Sequence, residues 1–549
     1  MLKLIPLGGL GEIGLNMMVV EYEDVIFIID AGLMFPEDYM LGVDYVIPAM
    51  DYLRENRDKV QGIIITHAHE DHIGALPYLL REFRIPVYGT RFTLGIVRNK
   101  LVEFELNTRI DLNLVNPGET LSIEPFEIEF IRVSHSTIDG VGLAIKTPEG
   151  VVVHTGDFRI SHDADPKKNT DISSFARFGE QGVLALLSDS TNVESEGYTM
   201  SEHEVARNLG KVITAATGRV IVALFASNVF RIQQVMDIAV NNNRKVVFNG
   251  RSMEQIISIA DELGYINYPP NTIMDIKQIN KVPDNQVVII TTGSQGEPMS
   301  ALVRMATGIH KHISIKKGDS VILSSKYIPG NEKAIANIIN RLYRRGADVV
   351  YSKIAQIHTS GHAHQEELKL MLNLTKPKFF IPVHGEYRHL VVHARLAEKL
   401  GMSRDNVLVA EDGKVIAFDG DGGRLESQVH TGRILVDGKG IGDVGRSVLK
   451  ERRELSEGGL VVVTMIIDEE TGVVLYGPEL VSRGFVFDSA TGYLVDDAQC
   501  VILEIVEEIE PGIDSRVELI RKRLQKALKQ YFAFAINRRP LIVPIIIEV

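Results

Sequence analysis

The stretch Gly62-Ile-Ile-Ile-Thr-His-Ala-His-Glu-Asp-His-Ile-Gly74 decides the fold of this chain. Its β-branched first half predicts a buried strand, and the apolar spacing of the residues after it predicts a helix. Four side chains that can bind a metal therefore lie within six positions at the end of a strand. The two alternating histidines can point the same way, while the turn brings the aspartate and the last histidine to a second position. One short loop can thus serve two metal ions.

Three more candidate ligands each come directly after a predicted strand, which can deliver them to the same edge of a sheet. They are His135, Asp157 and His384. Each alone would be an ordinary turn residue, but in this order after the histidine cluster they predict a dinuclear site, because seven ligands exceed what one tetrahedral ion can use. The lone cysteine, Cys500, cannot form an internal disulfide and is expected in the core.

Composition predicts an ordinary globular protein that stays in the cytoplasm. The 549 residues are 45% hydrophobic and 24% charged, which fits two to four packed domains. The N-terminus lacks the pattern of a secretory signal, and no apolar stretch is long enough to cross a membrane. The net charge of -13 argues only weakly against nucleic acid, because bound divalent ions are not counted in it. Basic clusters at Arg341–Arg345 and Arg521–Lys529 could line a groove.

The order of predicted elements indicates a discontinuous first domain. Short β-branched strands dominate up to about residue 201, and longer helices alternating with buried strands follow to about residue 352. The strand Lys378–Val383 then resumes the first domain. The predicted bounds are 1–201 and 353–442 for the first domain, 202–352 for an inserted α/β domain, 443–458 for a linker and 459–549 for a small terminal domain. The terminal domain is expected to contain two strands, Leu460–Ile467 and Leu541–Val549, with two amphipathic helices between them.

Several further motifs accompany the metal-binding residues. They are Gly8-Gly-Leu-Gly-Glu-Ile-Gly14, Ser188-Asp-Ser-Thr-Asn192, Phe225-Ala-Ser-Asn228, Thr291-Thr-Gly-Ser-Gln-Gly-Glu-Pro298, Pro329-Gly-Asn-Glu332 and His358-Thr-Ser-Gly-His362. With these motifs the chain resembles the β-CASP nucleic-acid-processing branch of the metallo-β-lactamase superfamily, and within it the bacterial ribonuclease J family, over essentially its whole length. The resemblance implies an α/β fold: a metallo-β-lactamase αββα sandwich with an inserted β-CASP α/β domain and a small C-terminal α/β domain.

The resemblance also implies roles for individual residues. One metal would be held by His67, His69 and His135, the other by Asp71, His72 and His384, and Asp157 would bridge the two. The expected catalytic residues are His362, acting on the leaving oxygen, Asp189, which orients it, and Asp71. We expect the substrate phosphate near Ser227, Asn228, His358, Thr359 and Ser360, although turn capping explains these residues equally well.

The implied function is hydrolysis of single-stranded RNA in RNA maturation and decay. Two divalent ions, zinc or alternatively manganese, would activate water, and cleavage would run 5′→3′ from a 5′-monophosphate as well as internally, leaving 5′-phosphate and 3′-hydroxyl ends. A homodimer or homotetramer, an RNA-degradation complex and no membrane association are expected. Two alternatives remain open at this point: a DNA-directed β-CASP nuclease, and a catalytically inactive scaffold of an RNA-processing complex.

The pattern Gly9-x-Gly11-x-x-Gly14 also matches a dinucleotide-binding fingerprint, with Asp30 as its downstream acid. That fingerprint requires a helix after the last glycine, whereas the residues here predict a strand paired with Val25–Ile29. We therefore reject it and expect Asp30 to support the metal ligands.

Overall fold

The computed structural model describes residues 1–106, 110–161, 165, 168–297, 299–325, 331–420, 422–438, 440–485 and 493–549. Among the quoted motifs, Pro298, Pro329 and Gly330 lie outside these residues. The chain divides into two compact units, Met1–Met34 with Ile47–Arg433, and Phe35–Val46 with Ile434–Val549. Within the described ranges, no helix is long and apolar enough to span a bilayer.

The part of the chain before residue 201 is rich in strands, as its β-branched runs predict. The strands are β1 (Leu2–Gly8), β2 (Leu10–Gly11), β3 (Met17–Tyr22), β4 (Val25–Ile29), β5 (Tyr45–Pro48), β6 (Val60–Ile64), β7 (Val87–Gly89), β8 (Leu112–Leu114), β9 (Thr120–Ile123), β10 (Phe126–Arg132), β11 (Val141–Thr147), β12 (Gly150–His154) and β13 (Val183–Asp189). The helices are α1 (Asp51–Glu55), α2 (Glu70–Ile73), α3 (Leu76–Glu82), α4 (Arg91–Glu103) and α5 (Ile172–Gln181). As predicted, β3 pairs with β4, which excludes the dinucleotide-binding fingerprint.

The inserted segment forms a parallel sheet covered by helices on both faces. Its strands are β14 (Val220–Ala223), β15 (Lys245–Asn249), β16 (Val287–Thr291), β17 (Ser320–Leu323) and β18 (Asp348–Val350), in the order β15-β16-β14-β17-β18. Its helices are α6 (Glu202–Ala215), α7 (Val229–Asn241), α8 (Arg251–Glu262), α9 (Ala301–Thr307) and α10 (Glu332–Arg344). The first three pack on one apolar face of the sheet and the last two on the other, so the strands are almost wholly buried.

The chain then returns to the first sheets, as the strand at Phe379 predicts. The returning elements are α11 (Gln365–Thr375), β19 (Phe379–Val383), β20 (Gly385–Glu386), α12 (Tyr387–Lys399), β21 (Lys414–Asp419) and β22 (Gly422–Gln428). One sheet has the order β22-β21-β1-β3-β4-β6-β7-β8 and a second has the order β19-β13-β12-β11-β10-β9. A short pair, β2 with β20, joins the glycine-rich N-terminal loop to the residues after His384.

The two large sheets face each other across an apolar core, with helices outside, which confirms the predicted αββα sandwich. Phe27 of one sheet meets Phe126 of the other edge to face, with ring centroids 5.0 Å apart. Helices α5, α11 and α12 cover the outer face of the second sheet. Its strands β12, β13 and β19 run parallel. Because β10 and β12 are both antiparallel to β11, the carboxyl ends of four strands meet at one edge.

The second unit contains β23 (Arg433–Asp437), β24 (Gly440–Ile441), α13 (Arg446–Gly458), β25 (Leu460–Ile467), β26 (Val474–Arg483), α14 (Tyr493–Glu507), α15 (Arg516–Ile536) and β27 (Leu541–Glu548). The sheet β26-β25-β27 packs one face against α14 and α15. The prediction of two strands missed β26, because Gly477-Pro478 interrupts its pattern.

Two other features of this unit differ from what the sequence suggested. The predicted linker 443–458 contains helix α13, which has few apolar residues and is supported by charge pairs such as Arg453 with Glu457 at 2.9 Å. Cys500 is exposed rather than in the core, since α14 buries the stripe that includes Ala498 and Ile502 instead. The domain bounds themselves stay a prediction.

Candidate metal centre

The predicted ligands lie at the strand ends that meet at one edge of the sandwich. His67 and His69 follow β6, and Asp71 and His72 belong to the short helix α2. The remaining ligand candidates, His135, Asp157 and His384, follow β10, β12 and β19. A backbone hydrogen bond from the Val141 amide to the Thr66 carbonyl, 3.0 Å long, holds the ends of the two sheets together. The fold therefore gathers residues that are more than 300 positions apart in the chain.

The first group consists of His67, His69, His135 and Asp157, whose donor atoms all lie within 4.8 Å of one another. Nδ1 of His69 is 3.1 Å from Nε2 of His67 and 3.1 Å from Nε2 of His135. Ring nitrogens on the corners of a tetrahedron around an ion, with metal–nitrogen bonds of about 2.0–2.1 Å, would be roughly 3.3–3.4 Å apart. The spacing of these three nitrogens therefore fits a single divalent ion.

The second group consists of Asp71, His72, His384 and again Asp157. Nε2 of His72 and Nε2 of His384 are 3.3 Å apart, and Oδ2 of Asp71 is 3.4 Å from Nε2 of His384. The backbone of His384 has a φ of +55°, in the left-handed region that residues other than glycine seldom adopt. Such strain persists where surrounding structure enforces it, often at functional sites. Here it turns the imidazole of His384 towards the other members of this group.

Asp157 belongs to both groups, and also to a third set of donor atoms that it forms with Asp189, His362 and His384. Its Oδ2 lies 3.6 Å from Nε2 of His67, 3.3 Å from Nε2 of His72 and 3.5 Å from Nε2 of His384. This oxygen is buried and has no hydrogen-bond partner among the described residues. Buried carboxylate oxygens normally accept hydrogen bonds, so one that accepts none and lies between two sets of imidazoles is best accounted for by cations. The donor set thus fits a divalent metal site.

The other ring nitrogen of most of these histidines is held by an oxygen. Nδ1 of His72 lies 2.7 Å from Oδ2 of Asp30, Nδ1 of His135 lies 2.8 Å from the Gly361 carbonyl, and Nδ1 of His384 lies 2.6 Å from the Thr191 hydroxyl. Asp30 also accepts hydrogen bonds from the Thr66 amide and hydroxyl. Such contacts fix which nitrogen faces the metal and hold the ring in place.

The pKa values of the histidines differ between the two groups. Burial lowers the pKa of His67 and His135 well below the usual value and that of His69 to about 4, so these rings are neutral, which is the form that binds metal. Burial acts in the same direction on His72, but the carboxylates of Asp157, Asp71 and Asp30 outweigh it and raise the pKa of His72 to about 10. Around this second group the protein therefore favours added positive charge.

Asp189 and His362 form a hydrogen-bonded pair beside the metal cluster. Oδ2 of Asp189, the last residue of β13, lies 2.8 Å from Nδ1 of His362. Burial opposes the charged form of His362, but Asp189 outweighs it and raises the pKa of the imidazole. The side chain of His362 retains 21% of its exposure and that of Asp71 retains 31%, whereas Asp157 and Asp189 are buried. The cluster is therefore accessible from the side of His362 and Asp71.

The five residues expected to contact a substrate phosphate are in different environments. The Ser227 hydroxyl is 3.1 Å from Nε2 of His69, and the Ser360 hydroxyl accepts a hydrogen bond of 2.6 Å from the Asn192 amide. Asn228 caps helix α7, and the Thr359 hydroxyl donates to the Met200 carbonyl. His358 is partly buried near the ion pair of Glu202 and Arg231, and burial lowers its pKa to about 3. Only Ser227 and Ser360 thus place hydroxyls beside the histidines and the loop of His362.

Sequence reasoning missed several supporting residues. Asn16 donates a hydrogen bond of 3.0 Å to the Asp71 carbonyl. A Cβ on Gly32 would lie 1.6 Å from that carbonyl oxygen, and one on Gly361 would lie 2.6 Å from Cε1 of His135. Both glycines therefore permit close packing under the ligands. Gly361 stands within a quoted motif, but nothing in one sequence distinguishes the packing role of Gly32.

Fold and site together define a class: metal-dependent hydrolases of the metallo-β-lactamase superfamily with a β-CASP insert. Residues 10–180 match the family model "Metallo-beta-lactamase superfamily", 217–342 match "Ribonuclease J, beta-CASP domain", 347–410 match "Zn-dependent metallo-hydrolase RNA specificity domain" and 447–549 match "Ribonuclease J C-terminal domain".

Proteins similar to this chain over nearly its whole length identify the family within this class. The chain is 41% identical to ribonuclease J 1 of Streptococcus pyogenes over 98% of this chain and 96% of that protein. It is 41% identical to ribonuclease J2 of Bacillus subtilis over 100% of this chain and 98% of that protein. The chain belongs to the ribonuclease J family and is a metal-dependent ribonuclease.

A solved structure shares the fold alone. It is a protein of unknown function from Enterococcus faecalis with a TM-score of 0.53 and 16% identity, covering 76% of this chain and 99% of that one.

Proposed function

We propose that this ribonuclease hydrolyses RNA phosphodiester bonds with two divalent ions per chain, zinc or alternatively manganese. His67, His69 and His135 would hold one ion, Asp71, His72 and His384 the other, and Asp157 both. The observation that carries this proposal is the unpaired Oδ2 of Asp157 between the two groups. Ions bound there would activate water and neutralise the charge that develops on the phosphate.

Other residues would supply the proton and orient the metal ligands. Asp189 holds Nδ1 of His362 and raises the pKa of the imidazole, which favours a proton on Nε2 that can be given to the departing 3′ oxygen. Asp30, Thr191 and the Gly361 carbonyl keep the ligand rings oriented. The products would carry 5′-phosphate and 3′-hydroxyl ends. A role in RNA maturation and decay, within an RNA-degradation complex in the cytoplasm, stays a prediction.

We further propose 5′→3′ exonuclease activity that prefers a 5′-monophosphate, together with some internal cleavage. The hydroxyls of Ser227 and Ser360 lie beside the metal cluster and the His362 loop, where they could bind a terminal phosphate. A triphosphate brings extra charge without matching partners, and a hydroxyl end leaves the donors unpaired.

An RNA of one sequence prepared with each of the three 5′ ends tests this preference. The monophosphorylated RNA should be degraded fastest, and Ser227→Ala with Ser360→Ala should reduce the difference among the ends. Each lost hydrogen bond to a charged phosphate would cost a factor of about 10 or more. Thr199→Ala, at a hydroxyl that donates a hydrogen bond to Glu367 of helix α11, is the control. Equal rates for all three ends in the unaltered protein would rule out the phosphate pocket.

A homodimer or homotetramer is proposed to form through the terminal sheet. Strand β27 alternates, so Ile542 and Ile546 pack on the helices while Val543, Ile545 and Ile547 are 37%, 46% and 51% exposed. Because these three side chains are about half exposed, burying the rest of each would contribute about 1 kcal/mol, and surfaces of this kind are typical of association sites.

Deletion of residues 459–549, and independently Ile545→Lys, should therefore weaken self-association at least about tenfold, the effect of about 1.4 kcal/mol. Sedimentation analysis over a range of protein concentrations measures this. An unchanged oligomer in both variants would place the interface elsewhere.

A further inference from the structure

A cavity lies outside the metal cluster, between the inserted parallel sheet and helix α4. Its volume of about 400 Å³ falls within the range of about 300–1,000 Å³ that is usual for ligand pockets. It is lined by residues from the start of α8, the loop after β16, the start of α9 and the end of α4. The lining includes none of the metal-ligand candidates named above.

The position of the cavity in the sheet is typical of a binding site. Strands β15 and β16 are parallel neighbours, and the residues directly after them, Gly250 and Thr292, both line the cavity. In open α/β sheets ligands bind outside the carboxyl ends of parallel strands, because backbone and side-chain donors converge there. The fold therefore presents a preformed polar pocket at this edge.

Hydrogen-bond donors dominate the lining, and some of them have no partner. Arg251 and Arg304 contribute guanidinium groups, and Ser252 and Ser300 contribute hydroxyls. Nε of Arg304 and Oγ of Ser300 are buried without a hydrogen-bond partner among the described residues. Buried donors are normally satisfied, so a ligand with several acceptor oxygens would complete this pocket.

Two glycines let hydroxyl groups form the wall. Gly250 and Gly293 have φ values of +120° and +102°, which side chains rarely permit. A Cβ on Gly250 would lie 2.8 Å from the Thr292 hydroxyl, and one on Gly293 would lie 2.4 Å from the Ser300 hydroxyl. Both hydroxyls can occupy the cavity wall only because these side chains are missing.

Helix α4 connects the cavity with the metal cluster. Nζ of Lys100 pairs at 2.7 Å with Glu70, the residue after His69. One turn later on α4, Glu103 accepts a hydrogen bond of 3.0 Å from Gln255 and lies 3.7 Å from Arg251. The side chain of Arg251 is 85% exposed, so it stands at the mouth of the cavity. Helix α4 thus carries one side chain that contacts the residue after His69 and another that lines the cavity.

We propose that this cavity binds one nucleotide of the RNA strand whose cleaved bond lies at the metal cluster, a proposal that rests on the function proposed above. Arg304 and Arg251 bind a phosphodiester, and the hydroxyls of Thr292 and Ser300 bind its remaining oxygens. The pocket holds a strand in the cleft independently of the catalytic chemistry.

Binding of a fluorescently labelled, non-hydrolysable single-stranded RNA to the metal-loaded protein tests this. Arg304→Gln and, separately, the exposed Arg251→Gln should each weaken binding of a long RNA about tenfold, because a hydrogen bond between charged groups is lost. Each should also make the salt dependence of binding shallower by about 0.7 in the log–log slope. Neither should alter binding of a dinucleotide, because its two nucleotides flank the bond at the metal cluster and leave none for the pocket. The control is Arg207→Gln, with the same change of charge on an exposed side chain of α6.

Three results would overturn the proposal. The first is unchanged binding of long RNA in both arginine variants. The second is a loss of dinucleotide binding as large as the loss for long RNA. The third is AMP that binds to the protein in an Arg304-dependent way but does not compete with long RNA. If the function proposed above is wrong, the metal-loaded protein will hydrolyse no RNA. The binding comparison would still decide whether this pocket holds a nucleotide.

Discussion

Replacing His362 with alanine is expected to lower the single-turnover rate of RNA cleavage by about 10²- to 10⁴-fold while leaving the metal content unchanged. The imidazole is partly exposed at the open side of the cluster, and its Nδ1 is held by Asp189 at 2.8 Å. Its loss removes the group that we propose protonates the departing oxygen, but none of the seven ligand candidates. Rapid-quench kinetics with saturating protein isolates this step from product release.

A matched histidine separates catalysis from general effects of the substitution. His430 has a side chain that is 78% exposed and lies 3.4 Å from Asp51, away from the cluster. His430→Ala should therefore cleave at the unaltered rate. Asp189→Asn should resemble His362→Ala, because an amide cannot hold the charged imidazole as a carboxylate does. A normal rate for His362→Ala would leave the histidine with a structural role only.

Replacing Asp157 with alanine should have a larger effect, because it removes the oxygen that both groups of ligands share. We expect loss of both ions and a lower cleavage rate than in His362→Ala. Without its carboxylate, His72 and His384 also lose the strongest attraction for their positive charge. Metal analysis by inductively coupled plasma mass spectrometry, made on the same preparation as the kinetics, measures both consequences.

The control for this change is Asp24→Ala, at a carboxylate that is 93% exposed and 3.5 Å from Lys59. It changes the net charge equally and should retain both metal and activity. If Asp157→Ala kept two ions at full occupancy, the assignment of a shared ligand would be wrong.

The sequence was sufficient for the fold and for the convergence of the candidate ligands, because both follow local rules. Ligands in the stretch from His67 to His72 are encoded within one loop, and His135, Asp157 and His384 each follow a strand that is apolar enough to recognise. Parallel strand ends then meet at one edge, so the distant residues converge without further information from the sequence.

Other features depend on tertiary contacts that no local pattern contains. Strand β26 carries a glycine and a proline in its middle, which is typical of a turn, yet pairing with β25 forms it. Helix α13 lacks an apolar stripe, and Cys500 faces outward because the buried face of α14 is shifted to its neighbours. Asn228 and Thr359 form hydrogen bonds with nearby backbone and therefore support the local structure. Ser227 and Ser360 remain the candidate phosphate contacts.

The central claim is that two ions held through Asp157 perform the cleavage, and native mass spectrometry of metal-replete protein, read beside cleavage of a 5′-monophosphorylated RNA, tests it most directly. Seven ligand candidates with one shared carboxylate predict two ions per chain, complete loss of cleavage in chelator, and recovery only when the second ion is restored. Full activity with a single ion per chain would contradict the account.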